Sequence, residues 1–442
     1  MPVDPMQLPN SEHIRNHVLA ALMRYWSAEP KSVAGLPVAQ KSSVTPIAGP
    51  LRLVEITLPD WATHCGVNGA LLVPAEAAAE AGTWQHTDWW LAAFLLLEAW
   101  HERVWEYDHG PIHSFSFYLK GWDERAWQHA WVNRIGLFLR QWAIQQSGYG
   151  GADRIGPLPK IQIHMTHDVD AVAKTLPIRL KQGAFNFFNA AQSVRRGQFR
   201  QTAERLRQAT RFLLGQENWW TFDRLQQWES DMGIQATYHF HVDTQPKTLK
   251  RWLFDPGYDI TSPRLKTLLR QLAVQGHTIG LHPGFETWQD AEQISAQRAR
   301  VEQSAGVQVT HCRQHWLRFS WQSTWLSQQT AGLAQDTTLM FNDRPGFRNS
   351  SALAWHPWQT ASAAALNLTA LPSVFMDSHF YDYQPMTPAA RQMAMRHWLH
   401  ECHCVGGEIV VLWHPHTLTT DYGWSDGFRD AVKLTKEFQF CQ

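Results

Sequence analysis

The sequence has no charge imbalance and no regular cysteine pattern. Its 442 residues include 39 lysines and arginines and 39 aspartates and glutamates, so the formal net charge at pH 7 is zero. Proteins that wrap nucleic acid carry a basic excess, so we expect no nucleic-acid partner. The five cysteines are odd in number and irregularly spaced, which argues against a disulfide framework.

Long apolar stretches are missing as well. The N-terminal residues show neither the positive region nor the apolar core of a signal peptide. The longest apolar run near the N-terminus, residues 89–97, is shorter than the roughly 20 residues that a bilayer requires. We therefore expect a cytoplasmic protein, and the sequence leaves its oligomeric state open.

Tryptophan and histidine are abundant instead. Hydrophobic residues make up 44% of the chain and charged residues 18%, which excludes general disorder. The 24 tryptophans are spread along the chain, so we interpret most of them as core residues, with stacking on sugar rings as the alternative. The 23 histidines supply many candidate metal ligands.

A glycine- and proline-rich linker at 147–159 divides the chain. Before it, residues 1–146 predict a smaller α+β accessory domain, whose residues form no motif that we can translate into chemistry. Within this domain, the pattern predicts helices at 84–107 and 125–146. It also predicts a turn followed by a strand at 110–118. After the linker, residues 160–442 form the second predicted domain.

The C-terminal domain alternates short apolar runs with helical stretches. The seven candidate strands are at 161–165, 236–241, 278–281, 307–311, 335–338, 370–375 and 409–413. Helices such as 263–275 and 290–304 separate most of them, a pattern typical of parallel βα units. We therefore predict an incomplete barrel of the TIM kind. Nearly every strand ends in a His, Asp or Arg, and sites form at that end of parallel strands.

The connection between the first two strands is long and basic. Residues 174–211 hold nine basic residues and one acid. We interpret this insertion as a pair of solvated helices. The alternative is a basic amphipathic surface that makes peripheral contact with anionic lipid head groups or binds a phosphorylated precursor.

Two aspartates follow the first strand of the C-terminal domain. Asp168 and Asp170 are one residue apart, so in an extended chain both side chains face the same way. Adjacent carboxylates repel each other unless a cation or a shared proton lies between them. A divalent metal supplies such a cation, with one aspartate as its ligand and the other as a proton acceptor.

Histidines end two of the later strands. His282 ends the third strand, and Glu286 lies four residues further on, a spacing that would let both bind one metal on a helical turn. A proline and a glycine between them favour a turn, which leaves that geometry open. His414 follows the buried run 409–413 and is well placed as a general acid at neutral pH.

In this order, the motifs resemble those of the polysaccharide deacetylases of carbohydrate esterase family 4, the NodB-homology fold. The resemblance covers residues 160–420. The segments that correspond to the four family motifs are 166–170, 276–282, 312–316 and 412–414. The fold that the resemblance implies is a distorted, partly open (β/α)7-type barrel.

The resemblance also implies a role for each matching residue. These roles are catalytic base for Asp168, metal ligand for Asp170 and His282, base-orienting residue for Arg313 and general acid for His414. The implied reaction is hydrolysis of a non-peptide C–N bond by metal-bound water, with zinc as the expected divalent metal.

One position departs from the family pattern. The second motif normally has another histidine four residues after the first, and here that position is Glu286, which we take as the third ligand because carboxylates bind zinc. His315 is the rival third ligand. Further side chains near the expected site are candidate substrate contacts: Trp316, Arg318, Arg344, Arg348 and Trp413.

The function implied is removal of an N-acetyl group from an amino-sugar unit of a surface-polysaccharide precursor. Because no export signal is visible, we expect an N-acetylated saccharide linked to a lipid or a nucleotide as the substrate. Two alternatives stay open: an amidohydrolase acting on a non-sugar amide or imide, and a non-catalytic saccharide-binding relative in a biosynthetic complex. The N-terminal domain resembles the accessory domain that precedes some cytoplasmic deacetylase-like proteins.

Overall fold

The structure is a computed structural model that describes residues 7–38, 47, 49–79, 82–148, 151–246, 248–255 and 257–440. In the N-terminal part, helices α1 to α6 are Ser11–Ala21, Pro30–Ala34, Trp89–Leu97, Trp100–His109, Trp131–Ser147 and Gly151–Ile155. Strands β1 (Leu53–Thr57) and β2 (Ala70–Pro74) pair antiparallel. Short 3₁₀-helices are Met23–Tyr25, Asp60–Cys65, Ser116–Tyr118 and Glu124–Trp127.

Two local predictions for this part, the single helix and the strand, are wrong. The single helix at 84–107 is two helices, α3 and α4, because Ala99 adopts a left-handed backbone with φ of 42° that interrupts the helix. The strand near 110–118 is absent from these described residues, which contain a 3₁₀-helix instead. The predicted linker 147–159 contains α6, while Tyr149 and Gly150 lie outside the described residues.

The C-terminal part is built on an eight-stranded parallel sheet. Strands β3 to β12 are Gln162–Val169, Ala236–His241, Thr278–His282, His311–Cys312, Gln335–Asp336, Trp358–Gln359, Ala364–Ala365, Thr369–Ala370, Ser373–Met376 and Glu408–Leu412. Their order in the sheet is β10-β7-β6-β5-β4-β3-β12-β11, and β8 pairs antiparallel with β9 outside it. The long strand β3 lies inside the sheet between β12 and β4, so the motif that follows β12 flanks its carboxyl end.

The sheet curls until its two edges approach each other. Strand β10 lies at one edge and β11 at the other, yet only Leu371 and Pro372 separate them in the chain. Three Cα–Cα steps span at most about 11 Å, so the edges lie within that distance. Arg313 Nη2 donates to Ser373 Oγ of β11 at 3.2 Å and Arg313 Nε donates to the carbonyl of Thr337 after β7 at 3.1 Å. The fold is therefore a distorted, partly open (β/α) barrel, which confirms the predicted fold class.

Helices surround this barrel. Helices α7 to α15 are Leu176–Arg195, Phe199–Leu214, Phe222–Met232, Leu249–Phe254, Pro263–Val274, Ala291–Ala305, Thr324–Thr330, Pro388–Cys404 and Ser425–Phe440. Two 3₁₀-helices, His315–Leu317 and Pro415–Leu418, and a π-helix, His379–Tyr383, complete the described elements. Helices α7 and α8 form the predicted pair in the basic insertion, joined by the three residues 196–198. Within the described residues no helix is long and apolar enough to cross a membrane.

The N-terminal part and the barrel bury a common core. One hydrophobic cluster joins α3 and α5 to Phe319, Trp325 and Trp355 from the barrel side. Fifteen of the 24 tryptophans are buried, which supports their interpretation as core residues. The boundary at 147–159 stays a prediction, and the two parts on either side of it pack as neighbours.

Ion pairs between buried side chains cross the same interface. Arg134 donates to both carboxylate oxygens of Glu401 at 2.8 and 2.6 Å, and Arg348 pairs with Glu102. Glu98 pairs with Arg103 within the N-terminal part, and it accepts across the interface from the indole nitrogen of Trp355 at 3.0 Å. Each of these carboxylates therefore has a permanent cationic partner within the fold.

Candidate metal and catalytic site

Three potential metal ligands meet at the carboxyl end of the sheet. Asp170 follows β3, His282 ends β5, and His315 lies in the loop after β6. Their ligand atoms all lie within 4.8 Å of one another. These strands are neighbours or near neighbours in a parallel sheet, so their carboxyl ends lie at the same edge, where sites form in such folds.

The two histidines of this group are held with the same ring nitrogen facing Asp170. Nδ1 of His282 donates to the carbonyl oxygen of Arg313 at 2.7 Å, and Nδ1 of His315 lies 3.4 Å from Asp255 Oδ1. Their Nε2 atoms lie 3.3 and 3.7 Å from Asp170 Oδ1. A hydrogen bond at Nδ1 leaves the lone pair on Nε2, the arrangement that metal-binding histidines adopt.

The chemistry of these donors fits a divalent metal. Asp170 Oδ1 is buried and lacks a hydrogen-bond partner of good geometry among the described residues, which is costly unless another group satisfies it. Burial raises the pKa of Asp170, but His282, His315 and His414 outweigh this effect, so the pKa lies below its usual range. An ionised carboxylate with two imidazole nitrogens is a donor set that zinc and similar ions accept.

A second aspartate lies beside this group with a different set of partners. Asp168 is buried, and its Oδ1 lies 3.2 Å from both Arg313 Nη1 and His239 Nδ1. Burial raises the pKa of Asp168, but Arg313, His282 and His239 hold it well below its usual range. Arg313 also donates to Thr166 Oγ1 at 2.8 Å, so its position is fixed and it in turn orients the carboxylate.

His414 follows β12, the sheet neighbour of the strand that carries Asp168. Its Nδ1 donates to Asp377 Oδ1 at 2.8 Å, and its Nε2 lies 3.6 Å from Asp170 Oδ2. Burial lowers the pKa of His414, but Asp377, together with Asp170 and Asp168, reverses this effect and raises the pKa to about 10. The imidazole therefore carries a proton at neutral pH and can donate it into the site.

The group opens into a cavity of about 1140 Å³. This volume is somewhat above the usual range for small-molecule sites, about 300–1000 Å³. One wall is the barrel end with Asp170 and His414, and another is the α7–α8 pair, with Phe185, Phe188 and Arg205. The cavity therefore continues well beyond Asp170 and His414.

The candidate substrate contacts divide into one that lines the cavity and four that do not. Trp316 lines it and is partly exposed. Arg344 pairs with Glu124 at 2.7 Å, Arg348 is buried against Glu102, and Trp413 is buried in the barrel core. Arg318 lies over the Phe285 ring at 4.3 Å and does not line the cavity.

Glu286 is not brought to the metal-ligand group. Its side chain is about half exposed, forms an ion pair with Lys250 and does not line the cavity. The Pro-Gly turn after β5 carries the chain away from the site, so the helical i,i+4 geometry does not form. The rival ligand His315 occupies the corresponding place in the group.

Two groups at the site were not assigned a role from the sequence. Asp255 holds His315 and also accepts from the backbone nitrogen of Phe285 at 2.7 Å. His239 faces Asp168 from β4, and burial lowers its pKa to about 3, so it is neutral. The position of His239 at the end of a predicted strand was the available signal, and none existed for Asp255.

No protein-family model and no curated protein matches the sequence. Among solved structures, the chain is similar to a Mycobacterium smegmatis protein described as a polysaccharide deacetylase, at 18% identity over 63% of this chain and 85% of that one, with a TM-score of 0.38. A chitin deacetylase from the fungal pathogen Colletotrichum lindemuthianum has 11% identity over 64% of this chain and 85% of its own, with a TM-score of 0.31. A CE4 family pseudoenzyme from Bacillus anthracis has 10% identity over 64% and 63%, with a TM-score of 0.28.

The TM-scores of these structures are low, so an activity for this chain has to rest on its own residues. The partly open barrel, with its motif residues gathered at the carboxyl ends of the strands, is a polysaccharide-deacetylase-like fold.

Proposed function

We propose that the chain is a metal-dependent hydrolase that removes an N-acetyl group from an amino-sugar unit of a surface-polysaccharide precursor. The observation that carries this proposal is that the Asp170–His282–His315 group lies beside both a carboxylate and an imidazole that carries a proton. Asp168 Oδ2 lies 4.0 Å from His282 Nε2, and His414 Nε2 lies 3.6 Å from Asp170 Oδ2. A base and an acid at one site suit hydrolysis of an amide.

We assign the metal ligands as Asp170, His282 and His315. A divalent metal held there supplies Lewis-acid activation. This assignment replaces Glu286 with His315, so the missing family histidine no longer favours a non-catalytic saccharide-binding protein.

The remaining residues move the protons of the reaction. Asp168 stays ionised because Arg313 and His239 stabilise its charge, so it accepts the proton of the attacking water. The water oxygen bonds to the acetyl carbon, and the C–N bond breaks. His414 gives its proton to the departing nitrogen, which leaves acetate and a free amino sugar. Asp377 holds His414 in the orientation that this transfer requires.

Acetate release tests the proposal. The full chain is supplied with zinc and incubated with N-acetylated amino-sugar oligomers and, separately, with p-nitrophenyl acetate. His414→Gln is expected to reduce acetate release from the amide about 10²–10⁴-fold. It should affect the ester much less, because p-nitrophenolate leaves without receiving a proton.

A matched control and two contradicting outcomes complete the experiment. Asp259→Asn changes an exposed turn aspartate that bonds Thr261, and it should leave both rates unchanged. If His414→Gln reduces acetate release from the amide and from the ester equally, His414 is not the general acid. Zinc-loaded protein that releases no acetate from any N-acetylated sugar would contradict the deacetylase proposal.

A further inference from the structure

The α7–α8 pair exposes a continuous apolar face. On α7, the apolar side chains recur every three or four residues and are exposed at 176, 180, 184, 187, 191 and 194. On α8, the corresponding exposed row is 199, 203, 206, 210 and 214, in which Thr210 is the one polar member. Leu176, Phe199 and Leu214 are 66%, 74% and 72% exposed. Exposed apolar patches of this extent usually mark an interaction surface.

Both rows lie on the side of the helix pair that faces away from the cavity. Gly183, Ala190 and Ala209 lie buried where the two helices meet. Each residue advances 100° around a helix, which gives the direction of every side chain relative to this contact between the helices. On each helix, the cavity-lining residues lie on one side of the contact, and the exposed apolar row lies on the other side. Because the two helices run antiparallel, the two rows share one outer face.

Basic side chains border this face. Arg200, Arg207 and Arg211 form a row along α8 next to its apolar row, and Arg195 ends α7. Among the described residues, the ion pair that these arginines form is that of Arg207 with Glu204, at 3.9 Å. The arginine charges are therefore available to an anionic partner.

We propose that this outer face of α7–α8 docks on an anionic phospholipid membrane. Helices that lie in the membrane interface have this composition, with exposed Leu, Phe and Val side chains flanked by arginines. The excess of basic over acidic residues complements anionic head groups, whereas a second copy of this chain would bring the same positive charge against itself. The described helices do not suit a span, so the pair lies on the membrane. This proposal needs no catalysis, and it puts the helix pair, which forms one wall of the cavity, between the cavity and the lipid surface.

Vesicle flotation of the full chain measures the docking. We expect binding to phosphatidylcholine vesicles that contain phosphatidylglycerol and much weaker binding to phosphatidylcholine alone. We expect a triple variant to lower the partition coefficient about a hundredfold, because each arginine contributes about fivefold. Its substitutions are Arg200→Gln, Arg207→Gln and Arg211→Gln. We expect a second triple variant to lower the partition coefficient at least about a hundredfold, because apolar burial is lost. Its substitutions are Leu180→Ser, Phe187→Ser and Phe199→Ser.

Matched variants elsewhere on the surface separate docking from general effects. Arg429→Gln, Lys433→Gln and Lys436→Gln remove three exposed basic residues from α15, and they should leave binding unchanged. Val274→Ser, Leu326→Ser and Met393→Ser remove exposed apolar side chains outside α7–α8, with the same expectation. Circular dichroism of each variant checks that helix content is kept.

Three outcomes would overturn the proposal. One is equal binding to neutral and anionic vesicles, and another is unchanged binding by the α7–α8 variants. The third is a dimer in sedimentation experiments that the serine variant converts to a monomer, without vesicle binding by either form. Because none of these readouts uses acetate release, failure here leaves the proposed function standing.

Discussion

Buried carboxylates occur in two regions of this protein, and their partners differ. At the interface between the N-terminal part and the barrel, Glu98, Glu102 and Glu401 each bind an arginine. At the carboxyl end of the sheet, Asp170 faces three histidines, and no lysine or arginine of the described residues forms an ion pair with it. The interface carries its own compensating charge, whereas the Asp170 group offers lone pairs to a cation from outside.

Asp168 combines features of the two regions. Like the interface carboxylates it has a buried arginine, Arg313, at 3.2 Å. Unlike them it lies 4.0 Å from His282 of the proposed metal group. A permanent partner keeps Asp168 ionised and oriented as a base, and leaves Asp170 free to bind metal.

The largest effect is expected at Asp168. Asp168→Asn keeps the shape of the side chain and removes the proton acceptor, so kcat for acetate release should fall about 10²–10⁴-fold. Metal binding should remain, because the proposed ligands are unchanged. Steady-state kinetics and metal analysis of the same preparation check both parts. Loss of the metal together with the activity would assign Asp168 to the ligands.

The next effect is expected at the interface. Arg348→Met leaves the carboxylate of Glu102 buried without a partner, so the free energy of unfolding should fall by about 3–5 kcal/mol. Adding Glu102→Gln should recover part of this loss. Denaturant unfolding measures both, and Arg344→Met is the control, because its partner Glu124 is largely exposed and the pair is expected to contribute at most about 1 kcal/mol. A raised KM with an unchanged free energy of unfolding in Arg348→Met would show instead that Arg348 contacts the substrate.

A smaller effect is expected in the pH dependence of stability. Burial raises the pKa of Glu401, but His129 and Arg134 lower it to about 2 from the ordinary glutamate value of 4.5. A lowered folded-state pKa contributes stability above the unfolded pKa, and this contribution of about 3 kcal/mol is lost as the pH falls from about 5 to about 2. Glu401→Gln should therefore lose stability at neutral pH and show a shallower acid dependence. A parallel pH dependence in both proteins would contradict the assignment.

Sequence reasoning located the residues that strands deliver. Asp168, Asp170, His282, Arg313 and His414 lie at or after strand ends, and parallel strands bring those ends together whatever connects them. The barrel class follows from the same alternation of strands and helices. Loop geometry was beyond this reasoning. The choice between Glu286 and His315 depends on the turn after β5 and on the loop after β6, in which Trp316 has a left-handed backbone with φ of 58°.

Long-range pairings were also out of reach. Arg348 lies in a loop with a plausible anion-binding composition, and its partner Glu102 is 246 residues away in the chain. Asp255 meets His315 across 60 residues, and no local pattern marks it as part of the site. Contacts of this kind follow from packing, which a single sequence does not display.

Metal analysis tests the central claim most directly. The full chain is equilibrated with zinc, dialysed and measured by elemental analysis, beside Asp170→Ala, His282→Ala, His315→Ala and the control Glu286→Ala. We predict about one equivalent of zinc in the parent protein and in Glu286→Ala, and loss of the metal in the other three, as expected for a site with three protein ligands. Metal loss in Glu286→Ala with retention in His315→Ala, or no metal in the parent protein, would contradict the account.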